Sequence, residues 1–322
     1  MPPPPADSDW LDAAARLALR ARPLSRPNPG VAAILVRDGV VVGRGWTRAG
    51  GRPHAEAMAL DQAGERARSA TAFVTLEPCA HRSERGPACS DQLIAAGVER
   101  VVAGVLDPDP RTAGQGLARL RDAGIDAVCR DHPGSRRSLA GYLTRAERGR
   151  PHVTLKLALT RDGAITPPAG RGRWITGEIA RAHVHSRRAL ADAILVGGGT
   201  WRADAPRLDV RLAGLEDRSP ERWVLSSAAC EGARTICAPA EIAGMAGVQY
   251  LYVEGGAATA RAFLEADLVD RIELYRAPID SGGEPALLAG FGGEDETWKR
   301  VERRQLGSDE FTAYEHSRCS PG

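Results

Sequence analysis

Hydrophobic positions along the chain follow two periods. Trp10, Ala14, Leu17 and Ala21 recur at helical spacing, behind a cap that Asp7 or Ser8 can supply. RPNPG (Arg26 to Gly30) breaks that helix, and VAAILVRDGVVVGRGW then reads as two strands about a tight Asp38-Gly39 turn. The pattern next predicts a helix from His54 to Ala67, a strand over Thr71–Leu76 and a helix opened by Cys89. A strand over Arg100–Leu106, a helix over Gly116–Ala123, a strand over Asp126–Cys129 and a helix over Arg136–Arg148 follow. Gly149-Arg150-Pro151 marks a boundary. Beyond it, PHVTLKLALTRDGAI reads as a strand and a turn at Asp162-Gly163, and a helix runs to Leu190. AILVGGGT is a buried strand entering a glycine turn, and VQYLYVEGGAATARAFLEADLVDRIELYRAP is strand, glycine turn, helix, strand. Strands alternating with helices predict sheets covered on both faces. At 322 residues the chain can form two domains with separate cores, 1–147 and 148–322.

Composition narrows the partners. The formal net charge of +2 supplies no electrostatic case for nucleic acid or for a membrane surface. No segment approaches the length of uninterrupted apolar sequence that spans a bilayer, and MPPPPADSDW lacks the basic and apolar regions of a signal peptide. The six cysteines, at 79, 89, 129, 230, 237 and 319, form no even framework, which is reduced, intracellular usage. A cytoplasmic, homo-oligomeric protein is expected.

Candidate chemistry concentrates between His54 and Cys89. His54, Cys79 and Cys89 are soft donors close enough in sequence to converge on one metal ion, and Glu56 stands two residues past the histidine. Zinc takes such ligands tetrahedrally and, where catalytic, keeps one position open. Three ligands with an adjacent carboxylate form the inventory of metal-assisted hydrolysis, the carboxylate moving protons. His and Glu at i and i+2 share no face in mid-helix, but at a first turn they can approach one water from different sides. HAE before a helix and PC after a strand is the layout of the zinc nucleobase deaminases, in which the Glu is not a ligand. Here the second cysteine follows at C-x9-C. His81 lies in the loop between the cysteines, as a substrate contact or, in a closed structural site, a fourth ligand. Asn28, before the first strand, serves turn chemistry or the substrate. Asp107 follows a strand, on the side where ligands of such sheets collect.

PNPGV, PHAEAMAL, TLEPCAHRSERGPAC, DPDP and AGQGLARLRDAGI together resemble the deaminase half of the bifunctional RibD family of riboflavin biosynthesis. The resemblance implies one zinc per chain on His54, Cys79 and Cys89, with Glu56 as proton shuttle. The implied substrate is a diaminopyrimidinone ribosylamine 5′-phosphate, with Asn28, His81 and Asp107 as contacts. Two features depart from the family. DPDP replaces DPNP, so Asp109 puts a carboxylate where a neutral amide could face the substrate phosphate, and it would repel an anion unless turned away. The loop between the cysteines is also one residue longer. A nucleoside or tRNA deaminase with an accessory domain is the rival enzyme reading. A structural zinc module joined to a nucleotide-sensing domain is the non-enzymatic one.

Residues 151–322 resemble the reductase half of the same family. The implied fold class is α/β in two domains, a zinc cytidine-deaminase-like α/β/α sandwich followed by a dihydrofolate-reductase-like α/β domain using NADPH. Matched by position, the cofactor would meet Ala158, Trp174, Thr200, Asp204, Ser227 and the turn Gly256, Ala257, Ala258, Thr259, Ala260, Arg261, Ala262. The substrate would meet Gly172, Arg188, Leu208, Arg211 and Glu254, with Arg188 and Arg211 as guanidinium forks for its phosphate. Lys156, a lone cation on an apolar strand, needs a partner or a ligand. With Glu254 it is the candidate for polarising and orienting ribose C1′ as hydride arrives. ADAP in place of ADDP leaves Ala205 without a carboxylate, and Gly172 stands where a small hydroxyl residue is common.

Overall fold

A computed structural model describes residues 5–81, 86–166, 168, 170, 172, 174–282 and 295–319. The chain divides into two compact units, the first ending at Gly149 and the second beginning at Arg150.

The first unit contains α1 (Asp7–Ala18), β1 (Ala32–Arg37), β2 (Val40–Trp46), α2 (Ala55–Ala63), β3 (Thr71–Val74) and α3 (Cys89–Ala96). It continues with β4 (Arg100–Ala103), α4 (Gln115–Asp122), β5 (Asp126–Cys129), α5 (Pro133–Ser138) and α6 (Ala140–Arg148). Among the described residues these strands form a five-stranded sheet in the order β2-β1-β3-β4-β5. β1 runs antiparallel to both its neighbours, while β3, β4 and β5 are parallel. Ala55, Ala59, Leu93, Leu117 and Leu120 bring α2, α3 and α4 onto one face with Ala33, Leu35 and Val74. Leu11 and Ala14 of α1 cover the other, against Ile34, Phe73 and Val102.

Two glycines set how deep α2 lies. A Cβ on Gly45 would come within 2.3 Å of the Ala55 carbonyl oxygen, and one on Gly43 within 2.2 Å of that of Ala59. β2 therefore accepts the helix backbone directly, and this fixes the helix end that carries His54 and Glu56.

Several elements differ from the sequence reading. α1 is capped by Ala6, whose N–H donates to Asp9 Oδ2 at 2.8 Å, and Asp7 instead pairs with Arg100 and Arg130. α2 stops at Ala63 because Gly64 turns to φ 56°, and a 3-10 turn carries the chain to Ala67. The helix predicted over Arg136–Arg148 is two helices separated at Leu139. β3 and β4 are each shorter than their apolar runs.

The second unit contains β6 (His152–Leu159), α7 (Glu178–Arg188), β7 (Ala193–Gly197), α8 (Gly198–Asp204), β8 (Glu221–Leu225) and β9 (Arg234–Ile236). β10 (Tyr250–Val253), α9 (Ala257–Glu265), β11 (Arg271–Arg276), β12 (Trp298–Leu306) and β13 (Asp309–His316) complete it. Among the described residues the sheet has eight strands in the order β12-β13-β11-β6-β10-β7-β8-β9. The β12–β13 hairpin joins antiparallel to β11, and the remaining pairs are parallel. Phe263 of α9 packs one face, and Ala180 and Val184 of α7 the other. The glycines after β7 do not form an open turn but start the short helix α8. Among the described residues no helix is long and apolar enough to cross a membrane.

Candidate active sites

In the first unit the three soft donors converge. His54 is the N-cap of α2, Cys89 is the first residue of α3, and Cys79 lies on the segment that leaves β3. His54 Nδ1 stands 3.3 Å from Cys89 Sγ and 3.8 Å from Cys79 Sγ, and all three donor atoms fall within 4.8 Å of one another. Tetrahedral zinc with bonds of about 2.0–2.3 Å needs donors roughly 3.5–3.8 Å apart, so the donor set fits that ion. The Cys89 N–H donates to Cys79 Sγ at 3.3 Å. Hydrogen bonding from Cys89 first, and from His54, holds the Cys79 thiol down to about 4. Burial works against the His54 imidazolium, but the Cys79 hydrogen bond and the Glu56 charge raise it overall.

Glu56 sits in the first turn of α2, 3% exposed, and burial raises its carboxyl above the usual range. A carboxyl so placed can both take and return a proton. His54, Cys79 and Glu56 share a cavity of about 330 Å³ with Asn28, His81 and Asp107. Asn28 Nδ2 donates to the Gly51 carbonyl at 3.2 Å, and a Cβ on Gly51 would meet Asn28 at 2.5 Å. His81 Nδ1 lies 3.5 Å from Thr112 Oγ1 and stands outside the donor cluster. Residues 82–85 of the loop between the cysteines lie outside the described residues.

Sequence reasoning missed how the far wall is held. Glu77, 2% exposed, accepts the N–H groups of Gly114 at 2.9 Å, Leu117 at 3.1 Å and Asp107 at 3.3 Å. It thus joins the segment carrying Cys79 to the start of α4 and to the Asp107 loop. Gly116 permits the approach, since a Cβ there would fall 1.9 Å from the Pro78 carbonyl oxygen. Asp107 Oδ1 accepts the Tyr142 hydroxyl at 2.7 Å, and burial raises its carboxyl. The only sequence signal was Glu77 itself, a charge between an apolar strand and Pro78.

In the second unit the expected contacts gather at the C-terminal ends of the parallel strands. Ala158 lies on β6, Thr200 in α8 after β7, and exposed Ser227 after β8. Gly256 caps α9 without a side-chain acceptor, so the first N–H groups, beginning at Ala257, are left available to an anionic ligand. Thr259 ties the two glycine segments together. A Cβ on Gly197 would meet its Oγ1 at 2.3 Å, and one on Gly255 its Cβ at 2.4 Å. These two glycines make room for Thr259, whereas a Cβ on Gly256 would meet nothing within 4 Å, and the open space beside the α9 N-terminus fits a nucleotide phosphate.

The other expected contacts are more scattered. Asp204 and Trp174 are exposed, and Arg181 lies 5.5 Å over the Trp174 ring. Gly172 holds φ 77° and Leu208 φ 55°, but the Leu208 side chain is 4% exposed within the α7 core.

Lys156, Tyr252, Glu254, Glu273 and Tyr275 share the α7 face of the sheet. Glu273 lies opposite Lys156 in register, and the Lys156 ammonium is 5.8 Å from the Tyr275 ring centroid. Burial lowers the Lys156 pKa, and the Glu254 charge works the other way. Beneath them Glu273, fully buried, accepts Arg187 Nε at 2.8 Å, Arg271 Nε at 3.1 Å and the Tyr252 hydroxyl at 2.9 Å. Of the two guanidinium forks expected at one phosphate, one is already engaged. Arg188 closes its fork on Glu254, Nε to Oε1 at 2.6 Å and Nη2 to Oε2 at 2.9 Å, because a buried carboxylate needs a partner. Arg211 stays exposed, 3.3 Å from Asp209.

The family model described as the cytidine and deoxycytidylate deaminase zinc-binding region matches residues 4–105. The model described as the RibD C-terminal domain matches residues 151–234 and 240–311. The riboflavin biosynthesis protein RibD of Escherichia coli K12 is 35% identical over 358 residues, covering 94% of this chain and 97% of that protein. The solved structure of Acinetobacter baumannii RibD, form 1, superposes with a TM-score of 0.82 at 30% identity, covering 97% of this chain and 99% of that one. A Thermotoga maritima diaminohydroxyphosphoribosylaminopyrimidine deaminase/5-amino-6-(5-phosphoribosylamino)uracil reductase superposes at 0.79 with 27% identity, covering 97% and 100%. With both halves matched in order along one chain, this protein belongs to the RibD family.

Proposed function

We propose that the chain is a bifunctional enzyme of riboflavin biosynthesis. Its first unit hydrolytically deaminates 2,5-diamino-6-(5-phosphoribosylamino)pyrimidin-4-one. Its second reduces the ribosyl group of 5-amino-6-(5-phosphoribosylamino)uracil to ribityl. The observation that carries the reading is the convergence of His54, Cys79 and Cys89 on one point, with buried Glu56 in the cavity that His54 and Cys79 line. When bound there, zinc supplies Lewis acidity toward water, and NADPH supplies hydride in the second unit.

The chain's own residues do the rest. Glu56 takes a proton from the attacking water and returns it to the departing amine, so that ammonia leaves and a carbonyl replaces it. Asn28, His81 and Asp107 orient the pyrimidine. In the second unit Lys156 and Glu254 polarise and orient ribose C1′, and Arg188 acts by fixing Glu254. Ala158, Trp174, Thr200, Asp204, Ser227 and the Gly256–Ala262 segment form the nicotinamide cofactor site. Gly172, Leu208 and Arg211 border the substrate. We also read the protein as a cytoplasmic homo-oligomer that needs neither nucleic acid nor membrane. Light scattering on the purified chain, showing more than one protomer per particle, would support the oligomer.

The test follows ammonia release and NADPH oxidation separately on purified, zinc-loaded protein. Glu56→Gln should cut ammonia release by about 10²-fold or more while one zinc per chain is retained. Loss of the metal in that variant would instead make Glu56 a ligand.

A further inference from the structure

Asp109, the carboxylate expected to oppose an anionic substrate, lines the cavity already partnered. Its two oxygens receive Arg111 Nε at 3.0 and 3.1 Å, and Oδ1 also accepts the Arg111 backbone N–H at 3.0 Å. Arg111 Nη2 completes the fork at 2.5 Å from Oδ2. Hydrogen bonding from Arg111 first holds Asp109 down to about 2, so the pair carries opposite full charges at neutral pH.

The pair is anchored from within. The Asp109 N–H donates to Asp107 Oδ1 at 3.0 Å, the oxygen that also receives Tyr142, and the Asp107 N–H donates to Glu77. The Asp109 side chain is 20% exposed and that of Arg111 68%. The cavity's other carboxylates, Glu56, Glu77 and Asp107, are all buried. The buried part of the lining is therefore rich in carboxylates, while its guanidinium groups, half-buried Arg52 and exposed Arg111, lie nearer solvent. A free surface arginine loses rotamer freedom when it grips a ligand, whereas this one is fixed beforehand. Its planar donor array suits phosphate oxygens.

We infer that Arg111, held by Asp109, grips the phosphate of the ribosylamine substrate at the open end of the deaminase cavity and sets the preference for a phosphorylated substrate. The assignment rests on the deaminase reading given above. It differs from the simpler role in which Arg111 only cancels the Asp109 charge.

The experiment measures ammonia release by zinc-loaded wild type, Arg111→Ala and Asp109→Asn, on the phosphorylated substrate and on its dephosphorylated counterpart. Arg111→Ala should raise KM for the phosphorylated compound roughly tenfold or more, collapsing the preference between the two, with zinc content unchanged. Asp109→Asn should raise the same KM a few-fold, because the guanidinium loses its fixed partner. An unchanged preference in Arg111→Ala overturns the assignment while leaving the deaminase reading standing. So does a lower KM in Asp109→Asn, which would mean that the carboxylate opposes the substrate. No ammonia from either compound with wild type would sink the deaminase reading and this assignment together.

Discussion

Arg188 and Glu254 show what single residues contribute and how far sequence can foresee it. Both were expected at the substrate, but the structure joins them in a bidentate pair on the face shared with Lys156. Burial works to raise the Glu254 carboxyl, and the Arg188 hydrogen bonds outweigh it, so the pair keeps a carboxylate charged inside the domain. Replacing Arg188 by Met strands that charge, a change that costs about 3–5 kcal/mol for buried pairs. NADPH oxidation by Arg188→Met should fall roughly tenfold or more, with ammonia release kept at the wild-type level as the internal control. Wild-type oxidation would show that the pair lies outside the reductase machinery. The zinc donors were legible because their spacing is local and their chemistry narrow. Tyr142 was not, because its partner Asp107 lies 35 positions away and an ordinary tyrosine carries no signal.

At the scale of elements, the first unit works through close backbone approach. α2 presents His54 and Glu56 only because Gly43 and Gly45 let it lie on β2 without intervening side chains. Gly45→Ala should push the helix outward, destabilising the unit by roughly 1–3 kcal/mol as overpacking does. Zinc affinity and ammonia release should fall with it. Calorimetry together with a zinc titration checks both, and an unshifted transition with full zinc uptake would show that β2 yields. Periodicity found most strands and helices, but it placed ends poorly. Apolar runs continue past β3 and β4, because buried segments leaving a parallel strand stay hydrophobic when pairing has ended. β12 escaped notice for the opposite reason. WKRVERRQL is exposed or half-exposed along most of its length, so it shows no alternation of apolar and polar faces.

Across the whole molecule, the two units divide the chain's electrostatics differently. The first gathers its buried carboxylates Glu56, Glu77 and Asp107 around the cavity that His54 and Cys79 line, whereas the second uses Asp270 and Glu273 structurally, against Arg150 and against Arg187 with Arg271. Burial opposes both carboxylates, yet the arginines hold each down to about 2. A depressed carboxyl contributes all its stability above the ordinary range of 3.8–4.5 and loses it as pH falls toward 2. The transition of the second unit, identified by its protection with NADPH, should therefore weaken steeply over that window. Asp270→Asn should flatten the decline and lower stability at neutral pH, and a decline of unchanged slope would count against the assignment. The order of the two halves could be read from motifs, while the ionic layer could not, since its members come from α7, β11 and the segments just before β6 and β11. That layer has a historical consequence. Loss of Glu273 leaves Arg187 without its carboxylate, and loss of either arginine leaves the buried Glu273 charge only partly compensated, so no single substitution exchanges the cluster for an apolar core at no cost. The cluster is thus easy for a lineage to keep and hard to leave, and descendants of this chain should retain all three residues or lose them together.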